Sequence, residues 1–126
     1  EGVAVRFRQQ LAENSKVLAW HNVFPEMNHN ELVGWPQPNE NFAVLLFRNE
    51  GEHSSNAKRF AICREIFSRY TSTLIDLTSK GKNAVERTFY LIHLGDWISY
   101  YLAVLRGVDP VEVRIIDHLK QSLSSK

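Results

Sequence analysis

A polar loop and a carboxylate upstream of it hold the side chains best suited to proton transfer. Residues 25–35 place His29, two amides and two carboxylates between bulky apolar neighbours. Glu13 lies 16 positions before His29, near the end of a predicted helix. An imidazole gains and loses a proton near neutral pH, and a positioned carboxylate can act as a general base. Periodicity alone favours a plainer interpretation, in which Glu13 is a solvated helix residue and His29 a surface loop residue.

The elements that must position these residues alternate along the chain. Strands and helices in alternation predict an α/β fold, in which a parallel sheet is flanked by helices on both faces. Ser54 or Ser55 suits the N-cap of the second helix, and Gly107 suits the end of the third. We predict helices over residues 3–15, 54–70, about 85–105 and from Asp109-Pro110 onward, and strands over residues 42–47 and 73–77, with residues 16–24 compatible with a further short strand.

The length and the order of elements indicate one incomplete domain. The chain has 126 residues, the size of a single domain. Three strands are few for a sheet of this class, and the opening helix has no strand before it. We therefore expect residues 1–126 to be part of a longer polypeptide.

Charge and cysteine content narrow the function classes. Fifteen basic and fourteen acidic residues give a net charge of +1, which argues against a dedicated nucleic-acid or anionic-membrane binder. The single cysteine, Cys63, cannot form an internal disulfide and fits a reducing, cytoplasmic location. Residues 88–105 are apolar but contain His93, Gly95 and Asp96, so no membrane span is expected.

Two further residues and the long helix have simple structural interpretations. Cys63 falls on the apolar face of its helix and is expected to be a buried, inert thiol. His93 is expected to be a core or interface histidine. The helix around His93 is apolar on almost every face, which predicts self-association or an exposed apolar patch. No two of the five histidines form an HExxH pattern, so no metal site is expected.

Three blocks of sequence carry a resemblance to a known family. They are Arg-Gln-Gln-Leu-Ala-Glu-Asn-Ser-Lys at 8–16, Pro-Glu-Met-Asn-His-Asn-Glu-Leu-Val-Gly-Trp at 25–35, and an ending that runs from Gly-Asp-Trp-Ile-Ser-Tyr-Tyr at 95–101 through Gly-Val-Asp-Pro at 107–110 to Leu-Lys at 119–120. Together they resemble the bifunctional phosphoglucose/phosphomannose isomerases, and within these the C-terminal sugar isomerase (SIS) domain. The resemblance implies a Rossmann-like, SIS-type sheet whose first strand and N-terminal SIS domain lie outside this sequence.

The resemblance also implies an activity and roles for three residues. Such enzymes isomerise hexose 6-phosphates between aldose and ketose by ring opening and proton transfer through a cis-enediolate. The resemblance implies no cofactor, because the shuttled proton stays with enzyme and substrate. By the family's motifs, Glu13 is the base, His29 opens the ring from across a homodimer interface, and Lys120 assists at the ring oxygen. The spacing to His29 favours Glu13 over Glu26 and Glu31 as the base. Glu31 is instead expected to cap a helix or to orient His29.

The sequence also departs from the family's pattern. Val111 and Val113 stand where dual-specificity relatives tend to carry a hydroxyl, so glucose 6-phosphate is a firmer expectation than mannose 6-phosphate. The Ser/Thr-rich phosphate loop belongs to the N-terminal SIS domain, so that domain is an expected partner and this chain alone is expected to be inactive. The alternatives are a non-catalytic SIS domain that binds a sugar phosphate for regulation and a purely structural dimerisation module.

Overall fold

The computed structural model describes residues 1–37 and 39–124. Its elements are α1 (Gly2–Ser15), two short 3₁₀ turns (Glu26–His29 and Glu31–Gly34), β1 (Ala43–Arg48), α2 (Ser54–Phe67), β2 (Thr73–Thr78), α3 (Ala84–Arg106) and α4 (Arg114–Ser124). Over the residues described, none of the helices has both the length and the apolar character that a bilayer crossing requires.

A two-stranded parallel sheet joined by α2 forms the centre of the fold. The strands pair in register from Ala43 opposite Thr73 to Arg48 opposite Thr78. Because side chains alternate along a strand, one face of β1 meets α2 and the other meets α1. The α1 contact is the edge-on packing of Phe7 on Phe47, with ring centroids 5.5 Å apart. The predicted α/β fold, with helices on both faces of a parallel sheet, is confirmed.

The core on the α2 side also holds the polar loop in place. Trp35 packs on Phe67 of α2 with ring centroids 4.8 Å apart. Met27 is buried in the same cluster, so apolar residues anchor the loop both before and after His29. The buried members of this cluster are Met27, Trp35, Leu46, Cys63 and Phe67.

On the opposite face of the sheet, α1 and α3 lie close together. A Cβ atom at Gly95 would come within 2.9 Å of Cδ2 of Phe7, so the helices approach this closely because position 95 has no side chain. Ser15 and Ser99 are fully buried between the two helices. The predicted end of α3 is confirmed, because Gly107 adopts the left-handed conformation (φ 65°) that glycine favours.

Three predicted elements differ in the structure. The second helix ends at Phe67, three residues before its predicted end. Residues 16–24 form no strand, because no neighbouring strand lies beside them to share a hydrogen-bond ladder within the described residues. The last helix begins at Arg114, not at Asp109-Pro110. The Asp109 carboxylate accepts the N–H of Val111 at 2.9 Å, which folds this segment into a turn before the helix starts.

The cap of α2 is also different from the prediction. Nδ1 of His53 accepts the backbone N–H of Ser55 at 3.2 Å, so His53 is the N-cap and neither Ser54 nor Ser55 has that role. Imidazole nitrogen supplies here the acceptor that a serine oxygen usually supplies.

α3 presents an exposed apolar face, as predicted. His93 lies on this exposed side of the helix and not in the core, and its Nε2 accepts the indole N–H of Trp97 at 3.0 Å. The exposed residues of this face include Trp97, Tyr100, Tyr101, Val104 and Leu105.

Candidate functional site

The last turn of α1 is fastened to α3 by side-chain hydrogen bonds. Nδ2 of Asn14 donates to Oγ of Ser99 at 2.9 Å, and the Ser15 hydroxyl donates to the Ser99 carbonyl at 2.6 Å. The guanidinium of Arg106 donates to the Ser15 carbonyl at 3.1 Å, which satisfies one of the helix's terminal carbonyls. The end of α1 is therefore held by groups on a neighbouring helix and does not depend on its own hydrogen bonds alone.

Glu13 is exposed in this fastened turn and borders two cavities that are open to solvent. It lines one cavity of about 340 Å³ together with Lys16 and residues 112–116. It also lines a second cavity, of about 470 Å³, with Arg6 and the amide side chains of Gln9 and Gln10. Among the described residues, no side chain donates a hydrogen bond to the Glu13 carboxylate, so the carboxylate is available to a ligand.

His29 is displayed by its two asparagine neighbours. Nδ2 of Asn28 donates to Sγ of Cys63 at 3.0 Å, which attaches the loop to α2. Oδ1 of Asn30 accepts the N–H of Glu31 at 2.6 Å and caps the second 3₁₀ turn. His29 itself is exposed, and no group in the described part of the chain hydrogen-bonds its imidazole. The Asn-His-Asn motif thus fixes the backbone and leaves the imidazole free.

Glu31 does not have the role predicted for it. Its carboxylate accepts a hydrogen bond from the side-chain amide of Asn22, and Asn30 is the residue that caps the turn. Glu31 therefore ties residues 16–24 to the loop and does not orient His29.

Cys63 is buried, as predicted. Only 2% of its surface is exposed. Burial raises the pKa of its thiol, and the hydrogen bond from Asn28 offsets part of that rise. A protonated, enclosed thiol is a poor nucleophile, so Cys63 contributes packing and an anchor for Asn28.

Lys120 lies on α4, the least packed helix. None of the described residues of α4 is buried, and Lys120 is exposed. The helix is capped at its start by Glu112, whose carboxylate accepts the backbone N–H of Arg114 and pairs with its guanidinium at 3.1 Å. These contacts with Arg114 lower the pKa of Glu112.

The three predicted site residues therefore have different surroundings. The cavities bring Glu13 together with the segment that leads into α4. Within the described residues, neither His29 nor Lys120 contributes to the wall of either cavity. Residues 1–37 and 39–124 contain no group of three or more His, Cys, Asp or Glu side chains placed to hold a metal ion.

The family model of the bacterial phospho-glucose isomerase C-terminal SIS domain matches residues 1–123. The chain belongs to this family. The SIS domain is 39% identical over 127 residues to the bifunctional phosphoglucose/phosphomannose isomerase of Caldicellulosiruptor bescii, and 38% identical over 123 residues to that of Aquifex aeolicus. These matches cover 98% and 96% of this chain but only 38% of each relative, so the SIS domain spans about two fifths of their length.

A solved structure supports the fold of this SIS domain. The crystal structure of a glucose-6-phosphate isomerase like protein from Thermus thermophilus superposes with a TM-score of 0.68. The match covers 95% of this chain and 39% of that one, at 23% sequence identity. At that identity the likeness concerns the fold alone.

The sequence does not predict the supporting roles of three residues of the SIS domain, although Lys16 and Ser99 lie in the blocks that carry the family resemblance. Ser99, Lys16 and Glu112 each act on positions more than 80 residues away, through the contacts Ser15–Ser99 and Lys16–Glu112. A serine inside an otherwise apolar helix was the available signal for Ser99, because a buried hydroxyl needs a partner. Lys16 and Glu112 carry no comparable signal in the sequence.

Proposed function

We propose that this chain supplies the base and the ring-opening group for isomerisation of glucose 6-phosphate and mannose 6-phosphate to fructose 6-phosphate. The observation that carries the proposal is the placement of Glu13: a motif glutamate on a fastened helix end, with an unpaired carboxylate on a cavity wall. A domain that only bound a sugar phosphate would not need a free base there.

Each proposed role follows from the chemistry of its side chain. The imidazole of His29 moves a proton from the C1 hydroxyl to the ring oxygen, which opens the sugar. The Glu13 carboxylate then takes the proton from C2 of the open aldose, giving a cis-enediolate. The hydroxyl proton on O2 passes to O1, and Glu13 returns its proton to C1 as the C2 carbonyl forms, which gives the ketose. The Lys120 ammonium stabilises negative charge near the ring oxygen and adjacent hydroxyls. This proton shuttle requires no cofactor.

Two partners complete the proposed site. The relatives are more than twice as long as this chain, which supports an upstream SIS domain that binds the phosphate group. His29 lies outside the walls of the Glu13 cavities and is exposed, which is compatible with its reaching the Glu13 of a second copy in a homodimer.

The first test is fructose 6-phosphate formation by the two-domain protein, in which this chain follows an upstream SIS domain. Glu13→Gln keeps the size of the side chain but removes the base, and we expect kcat to fall by about 10²- to 10⁴-fold with either substrate. The matched control is Glu26→Gln in the exposed start of the polar loop, which is expected to keep kcat within about twofold of the parent. Comparable turnover by the Glu13→Gln protein would contradict the proposal.

The second test asks whether His29 acts across the dimer. Subunits carrying Glu13→Gln are mixed with subunits carrying His29→Ala, and the mixed dimer is isolated with two different affinity tags. If His29 serves the other subunit, one site of each mixed dimer is intact, and about half of the parent kcat returns, although each homodimer is inactive. No recovery in the mixed dimer would place His29 and Glu13 of the same chain in one site.

A further inference from the structure

Lys16 joins the helix that carries Glu13 to the segment that leads into α4. Its ammonium donates to the carbonyl of Glu13, and also to the carbonyl of Glu112 at 2.7 Å. The first contact is of a common kind, since lysines near a helix end often bind its last carbonyls. The second reaches a residue 96 positions away, at the start of the region that carries Lys120.

The backbone of Lys16 is unusual in a way that bears on its role. Lys16 terminates α1 in the left-handed conformation, with φ 56° and ψ 39°. It is the one residue other than glycine with a positive φ among those described. Glycine adopts this conformation without steric cost, and a lysine does not. If position 16 only had to end α1, glycine would therefore be the more favourable residue. The lysine side chain must then have a separate role.

The surroundings of α4 supply that explanation. No described residue of α4 is buried, so packing against the rest of the chain contributes little to its position. Glu112 caps α4 through Arg114, and the Glu112 carbonyl is the group that Lys16 holds. A continuous series of contacts thus runs from the last turn of α1 through Lys16 and Glu112 to the first turn of α4.

We infer that Lys16 is a positioning residue, which sets the placement of α4, and hence of Lys120, relative to Glu13. The inference rests on the proposed function. Lys16 and Glu112 line the same cavity as Glu13, so the bond between them shapes the wall on which the base lies. Displacements of about 1 Å at a reacting group can cost about 100-fold in rate.

The test compares Lys16→Gly with Lys16→Arg in the two-domain protein. Glycine relieves the backbone strain and removes the tether, so we expect the melting temperature to stay the same or rise while kcat falls about 10- to 100-fold, with KM changed less than about threefold. Arginine can still donate to both carbonyls and is expected to keep kcat within about threefold of the parent. Wild-type kcat in Lys16→Gly, or a kcat loss that merely follows a lower melting temperature, would overturn the inference.

A second measurement does not depend on activity. Hydrogen exchange of the α4 amides, residues 114–124, is expected to be faster in Lys16→Gly than in the parent, with the α1 and α3 amides unchanged. Unchanged hydrogen exchange in α4 would overturn the inference that Lys16 holds this helix in place. Failure of the proposed function has a different signature, because it would show as retained turnover in Glu13→Gln, whatever the behaviour of Lys16.

Discussion

The first and last helices of this chain are held in contrasting ways. α1 buries Phe7 and Leu11 and is fastened to α3 through Ser15. α4 buries none of its described residues, and Ile115, Leu119 and Leu123 are mostly exposed, at 86%, 56% and 74%. Yet each helix carries one of the proposed site residues.

This difference shows which of the proposed site residues the chain can hold in position by itself. A base must be held close to one carbon atom, and α1 provides a rigid support for Glu13. α4 has an apolar stripe with no cover in the described part of the chain, together with a polar tether at its start. The position of Lys120 therefore depends on Lys16 and Glu112 and on whatever covers the stripe in the assembled protein.

Matched truncations of leucine test this contrast most strongly. Leu11 on α1 is 8% exposed, and Leu119 on α4 is 56% exposed. Leu11→Ala is expected to lower the free energy of unfolding of this chain by about 2–5 kcal/mol, because it leaves a cavity under the end of α1. Leu119→Ala is expected to change it by less than about 0.5 kcal/mol. Urea denaturation of the two variants measures both values.

The opposite result for Leu11→Ala and Leu119→Ala would contradict the contrast between α1 and α4. Equal losses in the two variants would show that α4 packs against the rest of the chain in solution. The contrast between the helices would then be wrong, and Lys120 would have a position fixed within the chain.

Local patterns were sufficient to predict most of the fold. The apolar runs of β1 and β2 and the helix between them are visible in the sequence, since strand and helix periodicities are properties of neighbouring residues. Residues 16–24 are also largely apolar but form no strand, because a strand exists only beside a partner. The sequence pattern predicts too early a start for α4, because the Asp109 carboxylate accepts the Val111 amide N–H in a competing turn that a helix pattern does not reveal.

The candidate site also has a part that the sequence predicts and a part that it does not. The residue types of Glu13 and His29 and the motifs around them pointed to proton transfer. What holds them could not be predicted, because Ser15 binds a carbonyl 84 positions away and Asn28 binds a cysteine 35 positions away. Contacts of this kind depend on how the helices pack, which the local sequence does not encode.

The smallest expected effect concerns pH and the start of α4. Contact with Arg114 lowers the pKa of Glu112 below its usual value. A carboxylate with a lowered pKa in the folded chain stabilises it fully above the usual glutamate pKa, and this contribution is lost as the pH falls through the lowered value. The cap of α4 should therefore persist at neutral pH and weaken below about pH 4.

Amide NMR between about pH 6 and pH 3 can follow this loss at one residue. The N–H of Arg114 should shift with the titration of Glu112, and the α4 amides should exchange faster as the cap is lost, while the amides of α1 should not respond. Glu112→Gln keeps an oxygen acceptor but cannot titrate, so it should remove the pH dependence of the Arg114 signal. A response spread equally over α1 and α4 would mean that acid unfolds the chain as a whole. In that case α4 would be no more loosely held than the helix that carries the base.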